Sequence, residues 1–258
     1  MFNKNELEVI KLLSLNDWVS GEKIAEELNI SRTAVWKCIK KLSNFGYEII
    51  SVRKKGYQLL TQSKLHPVVC TLENISTCFG KIQYFKEIDS TQKETLRKIY
   101  ESKHNILILT DKQTEGRGKE NSKWPSPEGG LYFSIGLLPQ YMKQKDLNTI
   151  IDIAKQGIKS SLAKYGIETE ILDNSFLVNG KKIGGLLEEH FCEGEKLIFI
   201  VIGIGLYISA EDGNVTSISE VTGKAIDRWE LLASFLELFC KKVKHSKGLL
   251  NCHHPIFI

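Results

Sequence analysis

Residues 113–134, Gln-Thr-Glu-Gly-Arg-Gly-Lys-Glu-Asn-Ser-Lys-Trp-Pro-Ser-Pro-Glu-Gly-Gly-Leu-Tyr-Phe-Ser, join a glycine-basic loop to a tryptophan and then to an alternating strand. Backbone N–H groups and a guanidinium at Gly116-Arg117-Gly118 can wrap an anion, and such a loop can disorder and reorder around a ligand. The alternation over 131–138 reads as a strand, as do 82–88, 106–109 and 197–208. Apolar residues at helical spacing mark 147–165 and 226–243. Val178-Asn179-Gly180-Lys181 carries the Asn-Gly dipeptide of a tight hairpin, so Lys181 and Lys182 begin a returning strand and alternate between its faces. The pattern predicts an α+β domain with helices packed on one face of a sheet.

A chain of 258 residues, 42% hydrophobic, has room for one large domain and a small one. Its longest apolar run, 197–208, contains two glycines and falls short of the ~20 residues that cross a bilayer, so no membrane span is expected. The first residues, Met1-Phe2-Asn3-Lys4-Asn5-Glu6, lack the basic cluster and apolar run of a secretion signal. Six cysteines without a CxxC pair complete the expectation of a reduced, cytoplasmic protein. The tail Cys252-His253-His254 offers only three candidate ligands, and no metal site is expected there.

The first sixty residues read as three helices and a hairpin. Leu7, Ile10 and Leu13 recur at helical spacing, and Ile24 and Leu28 line a short second helix that ends at Asn29, an acceptable left-handed terminus. Ser31 caps a third helix, in which Val35, Ile39 and Leu42 form the buried stripe. Arg32, Thr33, Trp36, Lys37 and Lys40 are left on its other face. Alternating runs on either side of Lys54-Lys55-Gly56 predict a β-hairpin wing. Between residues 31 and 55, seven cations, among them Arg53, Lys54 and Lys55, stand against the single anion Glu48, a greater excess than the +4 of the whole chain. A basic second helix beside a basic wing suits entry into a DNA major groove with phosphate contacts. The competing reading is a solvated basic face on a dimerisation module.

Two motifs in the second part carry a family resemblance. The glycine-basic loop resembles the nucleotide-binding loop of biotin protein ligases, and Lys-Lys-Ile-Gly-Gly-Leu-Leu-Glu-Glu at 181–189 resembles a second motif of that family, in the expected order. Ser-Arg-Thr-Ala-Val-Trp-Lys at 31–37 and Lys55-Gly56-Tyr57 are similar to the winged-helix domain of the ligases that double as biotin operon repressors. The resemblance divides the chain into a winged helix-turn-helix (1–61), a linker and approach (62–81), a class II synthetase-like mixed-sheet domain (82–245) and an atypical short tail (246–258). The small C-terminal β-barrel usual in the family is expected to be absent.

By the same resemblance, Ser90, Thr91 and Gln113 meet the ureido ring of biotin, whose N–H donors and carbonyl must be paired once buried. Gln92, Gly116, Arg117, Gly118, Lys182, Gly184, Gly185, Gly203 and Gly205 complete the biotin site. Lys182 and Arg117 are the catalytic candidates, because a fixed cation lowers the repulsion between a carboxylate and the α-phosphate of ATP. Lys119, Trp124 and Asn174 are assigned to the nucleotide. Ser90 and Thr91 have a competing structural reading as the cap of a following helix. The implied reaction takes biotin and ATP with Mg2+ to biotinyl-AMP and passes biotin to a lysine of a carboxylase carrier domain. The implied regulator is a homodimer on operator DNA, with biotin as co-repressor.

The sequence also departs from the family pattern. Lys119 stands at an arginine position, and Glu120-Asn121-Ser122 replaces the usual Arg-Gly-Arg. Ile171-Leu172-Asp173-Asn174-Ser175 stands for Lys-Trp-Pro-Asn-Asp, and Tyr207 for a common asparagine. Lysine loses bidentate phosphate geometry, and Glu120 brings a like charge towards a polyanion. Three readings therefore stay open: a ligase and repressor, a biotin-sensing repressor with little ligase activity, and an acyl-adenylating enzyme for lipoate or another short acid.

Overall fold

The computed structural model describes residues 3–15, 17–44, 47–60, 78–102, 104–139, 146–209 and 216–245. The chain forms two compact units, within Met1–Cys70 and Thr71–Ile258. Most of the expected linker and the expected tail, with its Cys252-His253-His254 and the question of a barrel, lie outside the described residues. Among the described residues no helix is long and apolar enough to cross a membrane.

In the first unit α1 (Lys4–Leu15), α2 (Gly21–Leu28) and α3 (Arg32–Asn44) precede a hairpin of β1 (Ile49–Val52) and β2 (Gly56–Leu59). Each helix start has a side-chain cap. At α1, Asn3 and Glu6 form a reciprocal box, with Glu6 N–H donating to Asn3 Oδ1 at 3.0 Å and Asn3 N–H to Glu6 Oε2 at 2.7 Å. Ser20 and Ser31 each accept a backbone N–H at 3.1 Å, from Lys23 and Ala34. Asn29 ends α2 at φ 49°, as its side chain permits. Val9, Ile10, Leu13, Ile24, Val35, Ile39 and Leu42 fill the core. The Glu6 carboxylate is buried there against Lys41 Nζ at 2.9 Å, so its charge is paired. The wing turns through Lys54 and Gly56, both at positive φ, and Tyr57 bridges back to Val19. A Cβ on Gly56 would collide with the Val19 carbonyl, so both backbone angle and space demand glycine there.

The second unit is a seven-stranded mixed sheet. Its strands are β3 (Lys81–Ile88), β4 (Ile106–Gln113), β5 (Leu131–Leu137), β6 (Glu170–Leu172), β7 (Ser175–Val178), β8 (Lys181–Glu193) and β9 (Lys196–Leu206). They lie in the order β3-β4-β5-β9-β8-β7-β6; β3 and β4 are parallel and the other pairs antiparallel. The helices are α4 (Thr91–Ile99), α5 (Leu147–Ala163), α6 (Ile218–Thr222) and α7 (Arg228–His245). Phe133, Ile135, Ile202 and Ile204 of the sheet pack with Ile150, Ala154 and Ile158 of α5 and Leu232, Phe235 and Phe239 of α7 in one core.

The expectation of helices on one face is corrected by α4. This helix lies over the alternate residues of the same strands, where its Ile99 packs with Ile106, Phe199 and Val201. The reason lies in the side chains of that face. Gly136 is so closely covered that a Cβ would come 2.8 Å from Thr95 of α4; Gly203 lies under the first turn of that helix, at Gln92, and Gly205 continues the face past it, neither with bulk of its own. The helix thus covers part of the face, and a cleft opens beside it. The strand expected over 106–109 runs on to Gln113, and 170–178 forms a hairpin, β6–β7, that propensity had not marked.

Candidate functional site

A cleft of about 760 Å³ opens on the face that α4 leaves uncovered. The turn from β3 into α4 contributes Ser90, Thr91 and Gln92, and the end of β4 contributes Gln113. The 113–126 stretch supplies Arg117, Gly118, Lys119 and Trp124; the β6–β7 turn supplies Asn174; β8 and β9 supply Lys182, Gly185, Gly203 and Gly205. Every candidate for biotin or nucleotide contact therefore lines one cavity, except Gly116 and Gly184. Those two are packed against protein instead. A Cβ on Gly116 would strike the Trp124 carbonyl and come 2.7 Å from Ser126 Oγ, and one on Gly184 would strike Leu206 and come 2.7 Å from the Gly205 carbonyl.

A hydrogen-bond network organises one end. Thr91 N–H and hydroxyl donate to Gln113 Oε1 at 2.9 and 3.1 Å, and Gln113 Nε2 donates to Ser126 Oγ at 2.7 Å. Ser134 Oγ lies 2.8 Å from Thr91 Oγ1 and 3.2 Å from Gln92 Oε1. Gln113 Oε1 thus accepts both Thr91 donors, and the second Gln113 side-chain N–H has no acceptor among the described residues. Ser90 also caps α4, accepting the Lys93 N–H at 3.4 Å, so the capping role and the place in the cleft coincide. Its hydroxyl proton stays available. Gly203 is what makes this end compact, since a Cβ there would overlap the Gln92 amide oxygen and come within 3.3 Å of Ser134 Oγ.

The 113–126 stretch is a hydrogen-bonded ribbon. Gln113 N–H donates to the Ser126 carbonyl at 3.1 Å, Trp124 N–H to Gly116 at 2.9 Å and Gly118 N–H to Ser122 at 2.8 Å. At its tip Glu120 is held at φ 55°, and Ser122 Oγ donates to the Lys119 carbonyl at 2.7 Å. Two of the atypical residues therefore build the turn itself. Arg117 reaches Glu189 of β8 at 3.4 Å.

Trp124 lies across the paired Gly185 and Gly205, where added Cβ atoms would come 3.0 Å from its six-membered ring and 2.5 Å from Nε1. Its rings stack on Tyr207 at 5.4 Å and 1°. Lys182 Nζ sits 4.7 Å from the Trp124 centroid, and partial burial pulls its pKa below the ordinary lysine value. Lys181, by contrast, is exposed. Among the described residues five cations line the cleft, Arg117, Lys119, Lys123, Lys155 and Lys182, against the carboxylates of Asp173 and Glu188, a balance suited to an anionic ligand.

The sequence reading assigned no contact to Ser134, Lys123, Lys155 or Glu188, which line the cleft, and marked Tyr207, which also lines it, only as a departure. Ser134 falls in register opposite Gly203, which strand alternation could have shown. Lys155 carries no local signal, because on α5 it resembles any flanking lysine of an amphipathic helix. Among the described residues no group of three or more His, Cys, Asp or Glu side chains is arranged to hold a metal ion.

The DNA-binding candidates are all exposed: Arg32, Thr33, Trp36, Lys37 and Lys40 on α3, and Arg53, Lys54 and Lys55 in the wing turn. Trp36 is 51% accessible, with Lys40 Nζ 5.0 Å from its ring centre. Arg32 lies 3.9 Å from Glu22 of α2, and Lys55 sits over Trp18 at 5.5 Å.

Residues 5–58 match a family model described as an HTH domain, and residues 84–206 match the biotin/lipoate A/B protein ligase family. The bifunctional ligase/repressor BirA of Bacillus spizizenii is 31% identical over 252 residues, which span 92% of this chain and 78% of the relative. Its Bacillus subtilis counterpart is 32% identical over the same length, with the same shares of each chain. Among solved structures, the Aquifex aeolicus biotin protein ligase in complex with biotin and ATP superimposes with a TM-score of 0.53 at 27% identity, over 64% of this chain and 70% of that one. Winged helix and cleft-bearing sheet are thus matched together by single relatives over nearly the whole length, and the chain belongs to the family of bifunctional biotin protein ligases and biotin operon repressors.

Proposed function

We propose that this chain adenylates biotin with ATP, transfers the biotinyl group to a lysine of a carboxylase carrier domain, and represses transcription from operator DNA as a homodimer in response to biotin. The observation that carries this reading is the polarity of the cleft, with neutral hydrogen-bonding groups over Gly203 at one end and Lys182 with further cations beyond. The ureido ring suits the first end and the carboxylate the second. Attack of that carboxylate on the α-phosphorus expels pyrophosphate; the carrier amine then attacks the anhydride carbonyl and releases AMP. Lys182 and Arg117 offset the negative charge that develops in the first step. Ser90, Thr91, Gln92 and Gln113 hold the ring; Lys119, Trp124 and Asn174 hold the nucleotide. Mg2+ enters with ATP and needs only one or two protein carboxylates besides the phosphates. Asp173, which lines the cleft, fits that requirement.

In this reading the protein acts in the cytoplasm, where ATP, the carrier domain and operator DNA meet. Glu120 at the ribbon tip favours a second reading, a biotin-sensing repressor with little ligase activity, because it carries like charge towards the nucleotide. Biotin-dependent exchange of labelled pyrophosphate into ATP separates the readings. Exchange supports the ligase; biotin binding without exchange supports the sensor; exchange driven by lipoate in place of biotin sinks both.

A further inference from the structure

Tyr207 has no role in the reaction as set out above, yet it is buried in the wall of the cleft at 6% exposure, just past the end of β9. Its ring is parallel to that of Trp124, and the indole crosses the glycine pair Gly185 and Gly205. Trp124 Nε1 is buried and has no hydrogen-bond partner among the described residues, so none of their polar groups fixes the indole in its plane. Shape fixes it instead: two glycines beneath, Tyr207 stacked against it, and Lys182 Nζ over the ring.

We propose that Tyr207 is a positioning residue for Lys182. By stacking on Trp124 it keeps the indole across Gly185 and Gly205, and the indole keeps the ammonium at the point where the substrate anions meet. The contact between Lys182 and the indole is a cation–π attraction that strengthens when water is excluded. The indole is also one of the groups that exclude water, which accords with the lowered pKa of Lys182. Without the Tyr207 ring the indole is free to tilt, and Lys182 regains water and a wider range of rotamers. The inference rests on the biotin-adenylating reading, in which Lys182 carries the charge.

The test compares Tyr207→Phe, which keeps the ring, with Tyr207→Leu, which keeps bulk without one. Three quantities are read: biotin affinity by calorimetry, pyrophosphate exchange across alkaline pH, and tryptophan emission. Tyr207→Phe, which retains the stacked ring, should stay far closer to the unaltered chain than Tyr207→Leu in pH profile and emission. Tyr207→Leu should still bind biotin through Ser90, Thr91 and Gln113, with at most a severalfold loss from the displaced Lys182, which shows that the fold and the ring pocket survive. Its exchange rate should fall by roughly tenfold or more, as small misplacements of a catalytic group do. The alkaline limb of its pH profile should move upward, towards the ~10.4 of an ordinary lysine, as Lys182 is resolvated. Its emission should shift to the red, and that shift should vanish in a Trp124→Phe background. Normal exchange and an unmoved pH profile in Tyr207→Leu would overturn the role of Tyr207 and leave the ligase reading standing. Absence of both biotin binding and exchange in the unaltered chain would overturn the ligase reading, and the inference with it.

Discussion

Lys181 and Lys182 share a peptide bond and almost nothing else. Alternation along β8 turns the first to solvent and the second to the cleft, over the indole of Trp124. Lys182→Ala should therefore lower biotin-dependent pyrophosphate exchange by on the order of 10²-fold. Lys181→Ala should leave it close to unaltered, and equal losses in both variants would reject the assignment. Gly203 allows an equally local prediction. Its Cβ would overlap the Gln92 amide and crowd Ser134, so Gly203→Ala should weaken biotin binding at least tenfold by calorimetry. The second Gln113 N–H and the Ser90 hydroxyl are lost to the ligand if these side chains move.

Among the elements, the 113–126 ribbon and helix α3 bear most directly on function. Glu120 occupies a left-handed backbone conformation that costs a non-glycine residue about 1 kcal/mol, and it places a carboxylate at the ribbon tip. Glu120→Gly should relieve both, lowering KM for ATP severalfold while biotin affinity stays constant; a raised KM would show that the carboxylate assists the nucleotide. Helix α3 is held by the Ser31 cap and by a buried stripe of Val35, Cys38, Ile39 and Leu42, so its cations are exposed on a rigid support. Lys37→Ala and Lys40→Ala should each flatten the dependence of log affinity for DNA on log salt by about one unit if they meet phosphates. Fluorescence anisotropy with a labelled duplex reads this directly. An unchanged slope in both variants would point to the basic face as a dimerisation surface.

For the whole molecule the question is whether biotin changes what the winged helix does. A ligand shifts an equilibrium only by its differential affinity for the two states. Biotin with ATP should therefore tighten binding to a palindromic site and raise the oligomer population in sedimentation velocity. DNA affinity indifferent to biotin would separate the two activities and reject the co-repressor role. Carrier biotinylation, measured in parallel, separates an intact ligase from a sensor.

Local signals were strong enough to be read without a structure. Ser31 before an apolar stripe, Asn179-Gly180 between two strands, and the fourfold alternation of 131–138 each specify a cap, a turn or a strand from neighbouring residues alone. With the glycine-basic loop and Lys182 they disclosed both units and most of the cleft. Tertiary structure alone decided the rest. The sheet order brings Gly203 opposite Ser134 and Gly205 opposite Gly185, pairs separated by tens of residues that no local pattern connects. It places α4 on the second face, because close packing against Gly136 depends on a strand that α4 does not adjoin in sequence. Lys155 and Tyr207 reach the cleft for the same reason: periodicity reports which face of its own element a residue occupies, and only packing decides what that face meets.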